Sequence, residues 1–284
     1  MLYFCTRFLK QTIMSKVILI TGASSGIGFT TAKDLAEQGH KVYGAARRVE
    51  KMEELKQYGV TPIKMDVTDE QSVNEAVEQI IAAEKRIDVL VNNAGYGSYG
   101  AVEDVSIDEA RRQFEVNVFG LAILTKKVLP YMREQHSGTI INVSSIGGRL
   151  TTYFGAWYHA TKHAVEGFSD ALRMEVGNFG INVAIIEPGG IKTEWGFIAA
   201  DHLKESAKGG AYEEQATKTA EGIRKQYSGN MLSDPKVISN AISKAVKARR
   251  PKARYTIGFM AMPLVWLHTI LPARWFDYIM MHAS

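Results

Sequence analysis

The chain has 284 residues, a formal net charge of +4 and a hydrophobic fraction of 46%. This composition is typical of a globular protein and excludes a disordered or fibrous chain, while the small net charge argues against a nucleic-acid partner. Cys5 is the only cysteine, which excludes an internal disulfide and a cysteine-based metal site, so we expect no metal and a reducing, cytoplasmic location.

Residues 1–13 are apolar and basic, but they lack the uninterrupted apolar core and small-residue cleavage site of a secretion signal. Met14 stands directly before the first strand-like run. The segment is consistent with a non-native start, an extra helix or a weak interfacial anchor, and we expect a dispensable extension over residues 1–15. No later stretch reaches the roughly 18 to 20 apolar residues that span a bilayer, so any membrane contact is expected only through the apolar chain ends.

Apolar, β-branched runs alternate with segments of helical periodicity. The strand-like runs lie at residues 17–20, 41–43, 61–65, 89–91, 139–143 and 182–186. The helix-like segments lie at residues 27–38, 49–57, 70–84, 106–131 and 158–178. This alternation predicts right-handed crossovers and a parallel sheet with helices on both faces, that is, a single doubly wound α/β domain of the Rossmann type.

The pattern loosens over residues 189–234, which are polar and contain Gly209-Gly210, and we expect a substrate lid there. A helix at residues 235–248 and a strand near 253–257 complete a domain predicted to cover residues 16–258. The remaining residues, 259–284, predict a tail of short helices that packs on the domain, on a partner subunit or on a membrane surface.

The first strand runs directly into the sequence TGASSGIG at residues 21–28. Gly22 permits a tight turn, Gly26 lets the backbone approach a pyrophosphate, and Gly28 lets the following helix pack closely on the strand. The same turn could connect a strand to a helix without a ligand, but its position between the two favours a dinucleotide site. The intervening residues predicted to contact the cofactor are Ser24, Ser25 and Ile27.

The end of the second strand carries Ala46-Arg47-Arg48, where NAD-selective sites usually have an acidic residue. An arginine fork binds a 2′-phosphate, whereas a carboxylate would repel it. Arg47 and Arg48 therefore favour NADP, with NAD as the alternative cofactor and a solvated basic helix cap as the alternative interpretation.

Two further segments end strands at the same predicted sheet edge. Asp66 and Val67 follow the third strand, where Asp66 is a candidate acceptor for the adenine amino group, although Asp66 and Asp69 could equally cap the next helix. The sequence NNAG at residues 92–95 follows the fourth strand, and its small residues would let the backbone of Asn93, Ala94 and Gly95 lie along the cofactor.

Tyr158 and Lys162 lie four residues apart on a predicted helix, so their side chains share one face. A nearby ammonium stabilises a phenolate, which lets Tyr158 exchange protons. Ser145 follows the fifth strand and can donate a hydrogen bond to a substrate oxygen. Asn117 stands between two valines in the long predicted helix, which indicates an inward-facing amide or a solvated residue.

The three motifs TGxxxGxG, NNAG and YxxxK occur in the order and spacing of the short-chain dehydrogenase/reductase family, which the chain resembles from Lys16 to about Thr193. The resemblance implies a catalytic tetrad of Asn117, Ser145, Tyr158 and Lys162, with Lys162 also holding the nicotinamide ribose. Ser145 is preferred to Ser144 because it stands thirteen residues before Tyr158, which is the family spacing.

The resemblance also implies that the segment after the sixth strand cradles the nicotinamide carboxamide, through Pro188, Gly189, Ile191 and Thr193. Ala46-Arg47 matches the pattern of NADP-using relatives. The AVEDVS segment from Ala101 and residues 252–278 further resemble hydroxysteroid and retinol dehydrogenases. Relatives usually pair the long helices before and after the fifth strand, so we expect a homodimer or homotetramer.

The sequence therefore predicts an NADP-dependent oxidoreductase that moves a hydride between the cofactor and a carbonyl or secondary alcohol. We expect an apolar substrate such as a steroid, a retinoid or a lipid-like ketone. Aromatic residues predicted either to wall its pocket or to be plain core are Tyr96, Tyr99, Tyr153, Phe154, Trp195 and Phe197. The alternatives are a non-catalytic NADP-binding sensor and a structural or membrane-docking protein.

Overall fold

A computed structural model describes residues 15–282 and contains one seven-stranded parallel sheet in the order β3-β2-β1-β4-β5-β6-β7. The strands are β1 Val17–Thr21, β2 Lys41–Ala46, β3 Val60–Lys64, β4 Val89–Asn92, β5 Gly138–Val143, β6 Ile181–Pro188 and β7 Arg254–Ile257. The α-helices are α1 Gly26–Glu37, α2 Glu70–Glu84, α3 Ile107–Phe114, α4 Gly120–Glu134, α5 Ala156–Val176, α6 Trp195–Ser206, α7 Glu213–Ser228, α8 Lys236–Lys247, α9 Ala261–Ile270 and α10 Ala273–His282. The predicted doubly wound sheet is confirmed.

Alternate residues of the strands face two separate cores. Ile18 and Ile20 of β1 pack with α1 and α8 on one face, while Val17 and Leu19 pack with α2, α4 and α5 on the other. All four side chains are buried, and burying each isoleucine or leucine contributes about 1.5–3 kcal/mol. Because both faces are covered, the strands are continuously apolar, which explains why they were predictable from sequence.

The strands β1 and β4 are neighbours at the centre of the sheet. The chain continues from β1 outward to β2 on one side, and from β4 outward to β5 on the other. At such a switch point the loops that follow the two strands diverge and open a crevice. The glycine turn after β1 and the NNAG segment after β4 lie at this crevice. The topology thus places both predicted cofactor segments side by side.

The single helix predicted for residues 106–131 is interrupted. Ser106 caps α3 by accepting a hydrogen bond from the Glu109 amide, and a π-helical turn at Glu115–Phe119 then separates α3 from α4. A π turn inserts one residue into the helical repeat and occurs most often at functional sites. It contains Asn117.

Residues 189–234 are more regular than their sequence suggested, since they contain the helices α6 and α7, which pack against each other. The contact between these helices consists largely of alanines, including Ala199, Ala200 and Ala216. Small residues let the helices approach closely but give a weak apolar periodicity, which explains why the segment was interpreted as loose. Within residues 15–282, no helix combines the length and apolarity needed to cross a bilayer. The extension expected over residues 1–15, with Cys5 in it, lies outside the described residues except for Ser15.

Candidate active site

A cavity of about 2060 Å³ follows the carboxyl edge of the sheet. One end is formed by the glycine turn after β1, and the other is reached by side chains of α9 and α10. The loops after β2, β3, β4, β5 and β6 line the space between them. The cavity is therefore large enough to hold a dinucleotide and a second molecule together.

The glycine turn forms the cradle that a pyrophosphate requires. Gly22 and Gly26 have φ angles of 68° and 53°, a backbone region that favours glycine. A Cβ on Gly28 would lie 2.3 Å from the Gly22 carbonyl oxygen, so Gly28 serves the helix–turn packing and does not itself line the cavity. Ser25 stands at the N-cap of α1 without a side-chain capping bond, which leaves the first amides of the helix open to an anion. Ser24, Ser25, Gly26 and Ile27 line the cavity here.

The NNAG segment is fastened to the end of β1 through Thr21. The Thr21 hydroxyl accepts hydrogen bonds from the amides of Asn93 and Ala94 at 3.0 and 2.9 Å, and the Asn93 side chain donates to the Thr21 carbonyl at 2.9 Å. A Cβ on Gly95 would lie 3.0 Å from the Asn117 side-chain oxygen. The segment thus presents Asn93, Ala94 and Gly95 to the cavity.

Arg47 and Arg48 are exposed and line the cavity beyond the end of β2. Among residues 15–282 neither guanidinium has an ion-pair partner. Asp66 and Val67 line the same end. The Asp66 carboxylate accepts hydrogen bonds from the amide and hydroxyl of Thr68, whereas Asp69 caps α2; of the two aspartates proposed as caps, only Asp69 is one.

Tyr158 and Lys162 share the cavity-facing side of α5, and both are buried, with exposures of 7% each. Burial raises the pKa of the Tyr158 phenol above its ordinary value, and a hydrogen bond with Ser145 opposes this rise. Burial lowers the pKa of Lys162 to about 8, and the nearby Glu166 carboxylate opposes that change. The Lys162 ammonium donates to the Val143 carbonyl at 3.0 Å. An acid and a cation thus lie on one wall.

Ser145 stands in extended conformation at the end of β5, before a short 3-10 turn at Ile146–Gly148. Its hydroxyl oxygen accepts a hydrogen bond from the Gly147 amide at 3.0 Å. Its own hydrogen is directed at the Pro188 carbonyl oxygen at 3.5 Å, which is longer than an ordinary hydroxyl hydrogen bond, so a ligand oxygen in the cavity can replace this acceptor. Ser144 is buried and hydrogen-bonds with Glu166, whereas Ser145 hydrogen-bonds with Tyr158.

Asn117 lies behind the cavity wall and fastens three segments together. Its side chain exchanges hydrogen bonds with the backbone of Tyr96, accepting from the amide at 3.0 Å and donating to the carbonyl at 2.9 Å. It also donates to the Thr161 hydroxyl of α5 at 3.0 Å. The amide faces inward, which was one of the two predicted alternatives.

Beyond β6, Pro188, Gly189, Ile191 and Thr193 line the cavity opposite the glycine turn. A Cβ on Gly189 would lie 2.5 Å from the Phe259 carbonyl oxygen, and one on Gly26 would lie 3.4 Å from the Thr193 methyl group. The segment therefore connects the cofactor end with the C-terminal tail.

The aromatic wall was only partly predicted. Tyr96, Tyr99, Tyr153 and Trp195 line the cavity, and the Trp195 and Tyr99 rings lie 5.1 and 5.9 Å from that of Tyr158. Phe154 and Phe197 do not line it, because Phe154 is buried against Tyr212 and Phe197 packs on Tyr227. Wall residues that the sequence did not reveal are Ile198, His202, Tyr227, Met231, Leu264, Leu267, Ile279 and Met280.

The family model for short chain dehydrogenases matches residues 16–199. The chain belongs to the short-chain dehydrogenase/reductase family. This short-chain dehydrogenase/reductase is 41% identical over 244 residues to a 3-ketodihydrosphingosine reductase from Bacteroides thetaiotaomicron, covering 86% of this chain and 88% of the relative. It is 34% identical over 274 residues to an NADPH-dependent 3-dehydrocapnine reductase from Ornithobacterium rhinotracheale, covering 92% and 94%. The crystal structure of a short-chain dehydrogenase from Streptomyces avermitilis superposes with a TM-score of 0.78 at 36% identity, covering 90% of this chain and 93% of that one.

Family membership makes the protein an oxidoreductase with a nucleotide-binding fold.

Proposed function

We propose that this protein is an NADPH-dependent reductase of a ketone carried on an apolar, lipid-like chain, and that it catalyses the reverse oxidation with the same residues. The observation that carries the proposal is the position of Tyr158. Its ring lies between Ser145 and Lys162 on one side and the aromatic wall of Tyr99 and Trp195 on the other. An acid that lies between the cofactor end and the apolar end of the cavity is placed to donate a proton to the carbonyl oxygen of an apolar substrate.

Catalysis by the protein consists of binding and proton transfer. When bound, NADPH supplies the hydride that adds to the carbonyl carbon. Ser145 donates a hydrogen bond to the carbonyl oxygen, where negative charge develops, and Tyr158 transfers its hydroxyl proton to that oxygen. The Lys162 cation stabilises the resulting phenolate. Tyr158 regains its proton from solvent before the next turnover, and the oxidation of an alcohol uses the same groups in reverse.

The glycine turn, the NNAG backbone and the segment after β6 would hold the cofactor, because together they offer open amides and surfaces that a Cβ would obstruct. We assign Lys162 to the nicotinamide ribose and Asp66 to the adenine end. The unpaired Arg47 and Arg48 support NADP, since a 2′-phosphate would neutralise a guanidinium that no described carboxylate neutralises. The NADPH-dependent relative is consistent with this choice.

The substrate class follows from the other half of the cavity. Leu264 and Leu267 of α9, and Ile279 and Met280 of α10, extend the aromatic wall into an apolar channel. Two relatives are named as reductases of ketodihydrosphingosine and dehydrocapnine, and we infer a substrate of that kind, with its ketone near Tyr158 and its hydrocarbon chain toward the tail.

The test begins with fluorescence titration of the purified protein with NADPH and NADH. Turnover of a panel of long-chain ketones, steroids and small polar sugars is then compared in wild type, Tyr158→Phe and a matched control, Tyr131→Phe, whose half-buried ring lies on α4 away from the cavity. We expect NADPH to bind to all three proteins, and long-chain ketones to be reduced by wild type and the control only. Turnover restricted to sugars would overturn the substrate class, and full activity in Tyr158→Phe would overturn the assignment of the acid.

A further inference from the structure

His159 follows Tyr158 on α5, yet no step of the proposed reaction uses it. It is buried, with an exposure of 3%, and both of its ring nitrogens are occupied. Nδ1 lies 2.9 Å from the Gly147 carbonyl oxygen. Nε2 lies 3.0 Å from the Thr152 amide nitrogen and 2.9 Å from the Thr152 hydroxyl.

These partners determine where the proton of the imidazole lies. A carbonyl oxygen can only accept, so Nδ1 must carry the hydrogen, and an amide can only donate, so Nε2 must be the bare acceptor. The ring is therefore neutral in the Nδ1–H form. Burial, which lowers the pKa of His159 to about 4, maintains this state over the physiological range.

The two sides of the ring lead to two different parts of the site. On the Nδ1 side, Gly147 is also the residue whose amide donates to the Ser145 hydroxyl oxygen at 3.0 Å. On the Nε2 side, the Thr152 hydroxyl lies 3.1 Å from the Tyr99 hydroxyl, and the Tyr99 ring lies beside that of Tyr158 in the cavity wall. The imidazole thus connects the proposed oxyanion donor with the substrate wall.

The loop between β5 and α5 packs closely against this ring. A Cβ on Gly147 would lie 2.7 Å from Nδ1, and a Cβ on Gly155 would lie 2.5 Å from Nε2. Both distances are shorter than van der Waals contact, so the loop can follow this path only with glycine at these points. A loop held this closely transmits a change in the ring to the residues that it carries.

We propose that His159 is a positioning residue that acts through two separate arms, a Gly147 arm that sets the Ser145 hydroxyl and a Thr152 arm that sets the Tyr99 wall. The inference rests on the proposed function, because it assigns Ser145 to the carbonyl oxygen and Tyr99 to the substrate. It predicts that the two arms affect different kinetic constants. The Gly147 arm governs kcat, because Ser145 acts on charge that develops during reaction, and the Thr152 arm governs KM.

Two conservative variants separate the arms. In His159→Asn the side-chain amide can occupy the place of Nδ1–H and keep the Gly147 bond, whereas in His159→Gln the carbonyl oxygen can occupy the place of Nε2 and keep the Thr152 bonds. We expect His159→Gln to lose about 10- to 100-fold in kcat, the scale of a small misplacement of a reacting group, with KM little changed. His159→Asn should mainly raise KM for the ketone. NADPH affinity should stay within about twofold of wild type in both.

The matched control is His163→Asn. His163 lies one turn further along α5, is exposed, and bonds only to the His159 carbonyl of its own helix. Its replacement should leave kcat and KM unchanged. If both His159 variants show the same decrease in kcat and the same increase in KM, together with lower melting temperatures, the role of His159 is merely structural and the proposal is overturned.

A second measurement does not depend on turnover. Nitrogen-15 NMR of histidine-labelled protein, with His159 assigned from the spectrum of the Gln variant, should show a neutral ring protonated at Nδ1 from pH 8 to about pH 5. A ring protonated at Nε2, or on both nitrogens at neutral pH, would overturn the inference. If the Nδ1–H form is found but wild type reduces no ketone, it is the proposed function that has failed.

Discussion

The Lys162 ammonium lies 5.9 Å from the centroid of the Tyr158 ring. Burial lowers the pKa of this lysine to about 8, so the fraction that carries the charge falls as pH rises through that value. Tyr158 has a raised pKa and stays protonated there. Ketone reduction, which needs a protonated tyrosine beside a cation, should therefore be flat below about pH 7 and decline above pH 8. The check is kcat/KM as a function of pH at saturating NADPH.

The variant Lys162→Met tests whether Lys162 causes this decline above pH 8. We expect a loss of about 100-fold or more in kcat/KM, on the scale of general acid–base contributions, and no decline centred near pH 8. A wild-type decline that persists unchanged in Lys162→Met would assign it to another group.

Arg47 should determine the choice between the two nicotinamide cofactors. Arg47→Ala removes a charge-assisted bond worth about 1.5–3 kcal/mol, so NADPH should bind about 10- to 100-fold more weakly while the NADH dissociation constant stays the same. Fluorescence titration measures both. Lys51→Ala is the control, because Lys51 is an exposed cation near the same loop that does not line the cavity. Equal weakening of NADPH and NADH by Arg47→Ala would contradict a 2′-phosphate contact.

Leu264 tests the apolar channel. A tryptophan at this position would fill space between Tyr158 and the tail, so Leu264→Trp should reduce kcat/KM for long-chain ketones by at least about tenfold, the cost of a methylene-scale mismatch or more in an apolar pocket. Short ketones should react as before. Met262→Trp changes an exposed residue of the same helix and should affect neither class. If long and short ketones lose activity equally, the hydrocarbon chain does not lie along α9.

Asn117 should matter for stability as well as for activity. Asn117→Ala leaves the amide and carbonyl of Tyr96 without their partners, and each unsatisfied buried group costs about 1–3 kcal/mol. We expect the free energy of unfolding to fall by at least that amount in urea titrations. Asn240→Ala, an exposed change in α8, should stay within about 0.5 kcal/mol of wild type. Equal stabilities for the two variants would contradict the fastening role of Asn117.

The predicted homo-oligomer can be tested at two exposed apolar side chains. Phe119, the last residue of the π turn before α4, and Met174, on α5, are 51% and 75% exposed. If the pair of helices forms the subunit interface, light scattering should give at least twice the 31.5 kDa mass of one chain. Met174→Arg should then lower the mass, and Met262→Arg on the tail should not. A wild-type monomer at all concentrations would contradict the prediction.

The parts of the site that could be predicted are those built from local sequence. The turn from Gly22 to Gly28 and the pair Tyr158 and Lys162 depend on spacing within one strand–turn–helix unit or one helix, so their geometry follows from the sequence itself. Asn117 stood out in the sequence as a polar residue between two valines, but the neighbouring residues did not predict a π turn.

The remainder depends on contacts between distant segments. Leu264 and Ile279 line the cavity because α9 packs against β7 and the turn at Ile146–Gly148, and α10 packs against α9, and no local pattern encodes these contacts. Phe154 and Phe197 were predicted either to wall the pocket or to be plain core, and only their packing against Tyr212 and Tyr227 decides for the second alternative. The role that we propose for His159 could not be predicted, because its partners Gly147 and Thr152 lie on a loop whose path the sequence does not reveal.

The family match ends at residue 199, so it includes the aromatic wall residues Tyr99 and Trp195 but not the aliphatic wall residues Leu264 and Ile279. The matched portion carries Ser145, Tyr158 and Lys162, to which we assign proton transfer, and the portion after it, with α7, α9 and α10, supplies the aliphatic surface that we propose meets the substrate. The proposed reaction and the proposed length of the apolar channel therefore depend on different stretches of the sequence. We expect that exchanging residues 200–282 between two members of the family would change the preferred chain length of the ketone and leave the reaction itself unchanged.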